Sequence, residues 1–143
     1  MEAVVEQAFS SVICLEQYIK SDIHINVHVM ENDGSLISVI INAVNVALLH
    51  AGIMLTDLCV SCTIGLVSKQ LCLDCTQIEE NSGSCYVPVA MKGRTKDVIY
   101  MQLSNKLNIT QLSECLELVS VGCDLIKEVI DKEFKSFLLK EQQ

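Results

Sequence analysis

The sequence of 143 residues has no tryptophan, a single proline, six glycines and only 4% aromatic residues. So few aromatic rings argue against a platform on which nucleic-acid bases stack. With a charged fraction of 20%, the scarcity of proline and glycine excludes a disordered chain and a collagen-like repeat. Basic residues are also few, 10 against 18 acidic ones, so the net charge of −8 does not by itself attract a polyanion. Contact with nucleic acid would need a local basic patch or a basic partner.

Half of the residues are apolar, and the length suits one domain with a hydrophobic core of its own. Eight cysteines are many for such a chain. The first residues lack the basic start and the apolar run of a signal peptide, so we expect a reducing compartment. In that setting the thiols are free and behave as small buried apolar side chains.

One stretch could be read as a membrane span, because residues 34–56 carry no charge and are long enough to cross a bilayer. Asn42, Asn45 and His50 interrupt it, and no cluster of Lys or Arg flanks it to set an orientation. Ala51-Gly52 also predicts a helix end within the stretch. We therefore expect a buried core helix and no membrane contact.

The first half of the chain predicts a helix, a strand and a second helix. Apolar residues near the helical period predict a helix over 3–18, and strict alternation predicts a half-buried strand over 22–30. A turn at 32–35 then leads into a helix over 36–50 that is apolar nearly all round.

The second half predicts several strands and a long helix. The expected elements are strands at 57–67, 71–74, 86–91 and 98–103, a turn or helical loop at 76–80, a polar hairpin connection at 92–97, and a helix capped by Thr110 and running to about Leu138. The tail from Lys140 to Gln143 should fray. This order predicts an α+β or α/β fold with a mixed sheet, and we favour α+β.

Four cysteines have the spacing of a zinc site, Cys59-x-x-Cys62 and Cys72-x-x-Cys75. However, Cys59 and Cys62 fall within a predicted strand, where residues three apart point to opposite faces and cannot share one metal ion. We expect buried structural thiols, with a zinc site or a redox pair as the alternatives.

Two histidines and two acids lie around the predicted strand at 22–30. His24 and His28 share one face but are separated by about 13 Å along a strand, too far for one ion, so a solvated or interface face is expected. Glu31 and Asp33 bracket the following turn. A carboxylate there could act as a general base or cap the next helix, and the spacing favours the cap.

Other catalytic or binding patterns are weak. No histidine stands beside a nucleophile turn, and Gly34, Gly52 and Gly65 are too isolated for a phosphate loop. The only basic cluster is Lys92, Arg94 and Lys96 in the hairpin connection, which is either a solvated turn or a contact for an RNA backbone. From these patterns we expect no cofactor and no metal.

Between Tyr18 and Val67 the chain resembles the RNase PH family. The segments that carry the resemblance are Lys20-Ser21-Asp22-Ile23, His28-Val29-Met30-Glu31-Asn32-Asp33-Gly34-Ser35, Ile41-Asn42-Ala43 and His50-Ala51-Gly52-Ile53-Met54-Leu55-Thr56-Asp57. The run from Leu73 to Glu80 is similar to one subgroup, the RNase PH-type exosome ring subunit whose archaeal counterpart carries the phosphorolytic site. The helix from Thr110 also fits this family.

The resemblance implies a fold of the ribosomal-protein-S5-second-domain type, with a mixed sheet and packed helices. It further implies that the chain is the C-terminal portion of an RNase PH-like domain. That portion would comprise a helix-strand-helix-strand core at 1–67, strands and a hairpin at 68–109 and a C-terminal helix at 110–139. Such subunits form a ring that threads RNA toward a 3′→5′ ribonuclease, so the implied partners are other RNase PH-like ring subunits, cap subunits and RNA. The implied locations are the nucleus, the nucleolus and the cytoplasm.

Departures from the family pattern bear on catalysis. The aspartate of the family turn corresponds to Asp33, but the second acid corresponds to His28 and the following arginine to Ile37. The phosphate-binding arginines of active relatives precede the first helix, and this chain begins within that helix. Because a phosphate ion needs fixed cations to replace its hydration, we expect a non-catalytic ring subunit. The alternative is a phosphate-dependent 3′→5′ exoribonuclease with Asp33 as the base.

Overall fold

The computed structural model describes residues 1–68, 70–83 and 85–141, and within them four α-helices and four β-strands. The elements in chain order are α1 Glu2–Ser10, a 3₁₀ turn Leu15–Tyr18, α2 Leu36–His50, β1 Cys59–Val67, β2 Gln70–Leu73, α3 Gln77–Ser82, β3 Cys85–Lys92, β4 Val98–Met101 and α4 Ile109–Glu141. The predicted fraying of the tail falls largely on Gln142 and Gln143, which lie outside the described residues.

The four strands form one sheet in the order β2-β1-β3-β4. Every pairing between them is antiparallel, where the sequence predicted a mixed sheet. Strands and helices are segregated as in other α+β folds, and this confirms the predicted class. β1 and β3 are the central strands and are buried on both faces along most of their length.

The sheet separates two hydrophobic cores. Residues of β1 alternate between them, because successive side chains of a strand point to opposite faces. On one face Cys59 packs with Phe9 of α1 and Ile41 of α2. On the other face Val60, Cys62 and Ile64 pack with side chains of α4 such as Val119. The fold therefore has three layers, with α1 and α2 on one side of the sheet and α4 on the other.

Helix α2 begins and ends at the predicted residues, Leu36 and His50. Its apolar side chains form much of the first core, to which α2 contributes the buried residues Ile40, Ile41, Val44 and Leu48. Among the described residues, no helix is long and apolar enough to cross a membrane.

The predicted strand at 22–30 is wrong. The segment has no regular secondary structure, and its backbone groups form no hydrogen bond with any other described residue. Alternation of apolar and polar side chains indicates a preference for an extended backbone. A strand forms only where a second strand supplies hydrogen-bond partners. Here the neighbouring elements are α1 and α2, which offer none.

Two helix boundaries also differ from the prediction. Helix α1 ends at Ser10 rather than Tyr18, since the Ser10 and Ser11 hydroxyl groups donate to carbonyls of the last turn. Helix α4 begins at Ile109, so Thr110 lies inside it and does not cap it. The segment predicted as a turn or helical loop is the short helix α3.

Candidate functional site

The turn that precedes α2 is built around Gly34. The Asn32 Oδ1 atom accepts a hydrogen bond from the Gly34 N–H at 3.2 Å, which closes a tight Asx turn. Gly34 has a φ of +97°, and a Cβ atom at this position would lie 2.3 Å from the carbonyl oxygen of Cys75. Only glycine therefore satisfies both the backbone conformation and the close approach of residues 75–77.

Helix α3 holds this turn in place. The Ser35 N–H donates to Glu80 Oε1 at 2.7 Å, and the Gln77 N–H donates to the carbonyl oxygen of Asp33 at 2.9 Å. The Asn32 side chain donates to Gln77 Oε1 at 3.1 Å. These contacts join residues more than forty positions apart, so sequence periodicity carried no signal for them.

The surroundings of the turn are acidic. Thr76 and Glu79 form a reciprocal capping box at the start of α3, and the hydrogen bonds that Thr76 donates lower the pKa of the Glu79 carboxyl group. With Glu80 bonded to Ser35, two carboxylates therefore lie on the helix that supports the Asp33 turn. Such a site repels an anion unless cations are brought to it.

Asp33 itself does not cap α2, and that prediction is wrong. The N-cap position is Ser35, in the left-handed conformation with φ 51°, and its side chain makes no capping bond. The Asp33 side chain is exposed, and no salt bridge between described residues includes it. The resemblance to the family also drew attention to His28 and Ile37. His28 is exposed, and Ile37 packs against the core of α1 and α2.

The second candidate, the basic turn, comprises residues 92–97 between β3 and β4. All three of its cations face carboxylates. Lys92 Nζ lies 4.0 Å from Asp97 Oδ2, Arg94 Nε lies 3.7 Å from Asp57 Oδ2, and Lys96 Nζ contacts Asp124 Oδ1 of α4. These pairs neutralise much of the local charge and fix the turn to the residues just before β1 and to the middle of α4.

Arg94 is the most accessible of the three cations. Its side chain is 72% exposed, compared with 31% for Lys92 and 33% for Lys96. Its Nη2 atom donates to the Thr56 carbonyl oxygen at 2.8 Å, and its backbone N–H donates to Asp57. The guanidinium group thus keeps free N–H donors on its solvent side while its position is fixed.

The predicted separation of Cys59 from Cys62 is confirmed, because they face the two different cores. Burial raises the pKa of the Cys59 thiol to about 12 and that of Cys62 to about 11, so both stay protonated at neutral pH. All eight cysteines are free. Within the described ranges, no three His, Cys, Asp or Glu side chains are grouped closely enough to hold a metal ion.

A buried polar layer between α2 and β1 was missed by the sequence analysis. Asn42 binds both backbone polar groups of Ser61, and Ser38 Oγ lies 2.7 Å from Thr63 Oγ1. The Ser61 hydroxyl group donates to the Val89 carbonyl oxygen at 2.8 Å, and its oxygen lies 2.9 Å from Ser38 Oγ. A signal was present, since Ser38 and Asn42 are four residues apart on a helix whose other residues are mostly apolar.

The chain matches both domains of one enzyme family. The model of the 3′ exoribonuclease family, domain 1, matches residues 1–54, and that of domain 2 matches residues 57–119. The two matches meet between α2 and β1. The Schizosaccharomyces pombe protein named exosome complex component ski6 is 32% identical over 121 residues, which cover 85% of this chain and 50% of that protein.

Solved structures share the fold. Rice (Oryza sativa) Rrp46 superposes with a TM-score of 0.78 and 21% identity, over 93% of this chain and 63% of that chain. A chain from the Archaeoglobus fulgidus exosome with RNA bound to the active site superposes with a TM-score of 0.68 and 19% identity, over 88% of this chain and 58% of that one.

The comparisons also show how much of each relative this chain covers. The chain spans about half the length of the fission yeast relative and less than two thirds of either solved chain. The two family matches nevertheless cover most of its residues, and the motifs around Asp33 and Asn42 lie inside them. The chain therefore belongs to the 3′ exoribonuclease family, the RNase PH family.

Proposed function

We propose that this chain is a non-catalytic RNase PH-like subunit of an exosome ring, where it helps to form the channel through which RNA passes. The family membership supports this role, as does the similarity to proteins named as exosome components. Its partners would be other RNase PH-like ring subunits and cap subunits, and it would contact RNA only in the assembled complex. It would act in the nucleus, the nucleolus and the cytoplasm, which immunofluorescence of the tagged chain would test.

The observation that carries the non-catalytic assignment is the charge around Asp33. Phosphorolysis requires inorganic phosphate to be held against a scissile phosphodiester, and both groups are anions. The Asp33 turn rests on a helix that carries Glu79 and Glu80, and the position of the family arginine is occupied by apolar Ile37. An additional phosphate ion would meet carboxylates here rather than guanidinium groups.

A phosphorolysis assay tests this assignment. The purified chain, and the chain assembled with its ring partners, would be incubated with 3′-labelled RNA in the presence and absence of inorganic phosphate. Any phosphate-dependent release of nucleoside diphosphates should be unchanged by Asp33→Asn. Release of nucleoside diphosphates that this substitution abolishes would overturn the proposal.

A specific observation favours a second candidate, a phosphate-dependent 3′→5′ exoribonuclease. The Asp33 carboxylate is exposed on a turn that is fixed by backbone hydrogen bonds to α3, and a general base needs such a positioned, accessible group. In this case arginines of a neighbouring subunit would have to supply the phosphate site. Activity of the assembled complex but not of the isolated chain, lost in Asp33→Asn, would distinguish this candidate from the favoured one.

A further inference from the structure

Cys72 and Cys75 lie on the same face of the sheet, beside Gly65. Cys72 of β2 stands directly opposite Gly65 of β1 in the antiparallel register, so the side-chain positions of the two residues share one face. A Cβ atom on Gly65 would lie 2.3 Å from Cys75 Sγ. The Cys75 sulfur therefore occupies the space that a side chain at position 65 would fill, next to the side chain of Cys72.

The chain between the two cysteines turns back and brings them together. Asp74 has the left-handed conformation, with a φ of 55°, and its N–H donates to the Thr63 carbonyl oxygen at 2.8 Å. After this turn the Cys75 thiol donates to the Cys72 carbonyl oxygen at 3.6 Å. All of these contacts lie within residues 57–119, which match the second family domain, so the pair belongs to the fold of that domain.

The two thiols differ in their access to solvent. Cys72 is half-buried, whereas Cys75 is only 2% exposed. Burial raises the pKa of the Cys75 thiol to about 11, and the neighbouring Cys72, Glu79 and Glu80 raise it as well. A reagent in solution therefore reaches Cys72 first, and Cys75 can react only with a group that is held on Cys72.

We propose that Cys72 and Cys75 form a thiol pair that low-molecular-weight disulfides oxidise reversibly to an intramolecular disulfide. A disulfide in a protein of a reducing compartment is usually transient and redox-sensing, and a pair with one accessible and one protected thiol suits such a cycle. This modification goes beyond the proposed function and does not depend on it.

The oxidation proceeds by two exchange steps. The Cys72 thiolate attacks one sulfur of glutathione disulfide, forms a mixed disulfide and releases one glutathione thiolate. The Cys75 thiol then loses its proton to water, and its sulfur attacks Cys72 Sγ and releases the second glutathione thiolate. The two cysteines lose two electrons and two protons, and glutathione disulfide is reduced to two glutathione thiols. Excess reduced glutathione reverses both steps.

The bond would act on the Asp33 turn. The Cys75 carbonyl oxygen accepts a hydrogen bond from the Ser35 hydroxyl group at 3.2 Å and lies against Gly34. A bond to Cys72 would fix this support to β2. We therefore expect the backbone amide of Ser35 to exchange its hydrogen at least about threefold more slowly in the oxidised chain. Equal or faster exchange would reject this effect on the turn.

Equilibration of the full chain with glutathione tests the pair. The chain would be incubated at defined ratios of oxidised to reduced glutathione, alkylated, digested and analysed by mass spectrometry. We expect a bond between Cys72 and Cys75 whose equilibrium constant is about tenfold or more above that of the chain unfolded in urea, because the fold already holds both sulfurs on one face. Absence of this bond, or a constant no larger than in urea, would overturn the proposal.

Alanine variants separate the roles of the two thiols. Cys75→Ala should stop at the mixed disulfide between Cys72 and glutathione, whereas Cys72→Ala should form neither product at this site. Cys14→Ala is the matched control, because Cys14 is also half-buried but lies outside the pair, and it should leave the bond unchanged. Circular dichroism would verify that each variant is folded. A folded Cys75→Ala chain in which Cys72 takes up no glutathione would contradict the proposed order of steps, and the wild-type equilibrium decides the pairing even if a variant unfolds.

Discussion

The side chain of Asn42 replaces a neighbouring strand for Ser61. Its Nδ2 atom donates to the Ser61 carbonyl oxygen at 2.8 Å, and its Oδ1 atom accepts from the Ser61 N–H at 2.9 Å. The replacement is needed because β2 pairs only with residues 64–67 of β1, which leaves the edge of the preceding residues without a strand. Buried backbone groups without such partners are costly.

We predict that Asn42→Ala lowers the free energy of unfolding by about 2–4 kcal/mol, since it leaves a donor and an acceptor of Ser61 unsatisfied in a partly buried position. Urea unfolding followed by circular dichroism would measure the change. Val39→Ala on the exposed side of the same helix is the control and should change stability by less than about 0.5 kcal/mol. Equal effects of the two substitutions would contradict the role of Asn42.

Gly34→Ala should destabilise the turn before α2 by about 2 kcal/mol or more, because it adds both a left-handed strain and a clash with backbone atoms of Cys75. Gly52→Ala is the matched control. Gly52 also has a positive φ, of +69°, but a Cβ atom there would meet nothing within 4 Å. Thermal melting of the two variants separates the cost of the clash from the cost of the conformation, and a smaller loss for Gly34→Ala would refute the packing argument.

Stability should fall at alkaline pH. Burial raises the pKa of Cys59 and Cys123 to about 12 and that of Cys62 to about 11, from an ordinary value of 9.0. Below pH 9 the thiols are protonated in both states and their contribution is fully present. Between pH 9 and 12 the unfolded chain releases protons that the folded chain retains, so the free energy of unfolding decreases as the pH rises.

Urea unfolding between pH 7 and 11, with reductant present, would measure this decrease. Cys59→Ala removes one of the shifted groups and should make the decrease shallower, whatever its effect on stability at pH 7. An identical slope in the variant and the wild type would contradict the assignment.

Arg94→Gln should weaken the binding of RNA by the assembled ring about twofold to tenfold, if the turn at 92–97 lines the RNA path, because one cation that neutralises a phosphate is lost. Lys106→Gln, at an exposed lysine outside the turn, serves as the control for net charge. Filter binding at several salt concentrations is the measurement. If the RNA affinity depends less on salt in Arg94→Gln but not in Lys106→Gln, a direct phosphate contact of Arg94 is supported. Equal effects of the two substitutions on the affinity would reject that contact.

Local pattern was sufficient for part of the fold. The limits of α2 and the opposite faces of Cys59 and Cys62 followed from periodicity, because a helix or a strand imposes its period on every residue within it. The exact alternation of residues 22–30 led to a wrong strand, since the same local pattern is found whether or not a partner strand is present. The sequence analysis placed the candidate sites on the correct segments of the chain, but it did not predict the chemistry of these sites.

The sequence by itself determined the α+β class, the buried helix at 36–50 and the motifs of the RNase PH family. Tertiary structure alone decided that Asp57 and Asp124 neutralise the basic turn, that α3 holds the Asp33 loop and that Asn42 completes the edge of β1. The reason is physical. Side-chain periodicity arises from the backbone of neighbouring residues, whereas these ion pairs and hydrogen bonds join residues 19 to 45 positions apart, which only the packed chain brings together.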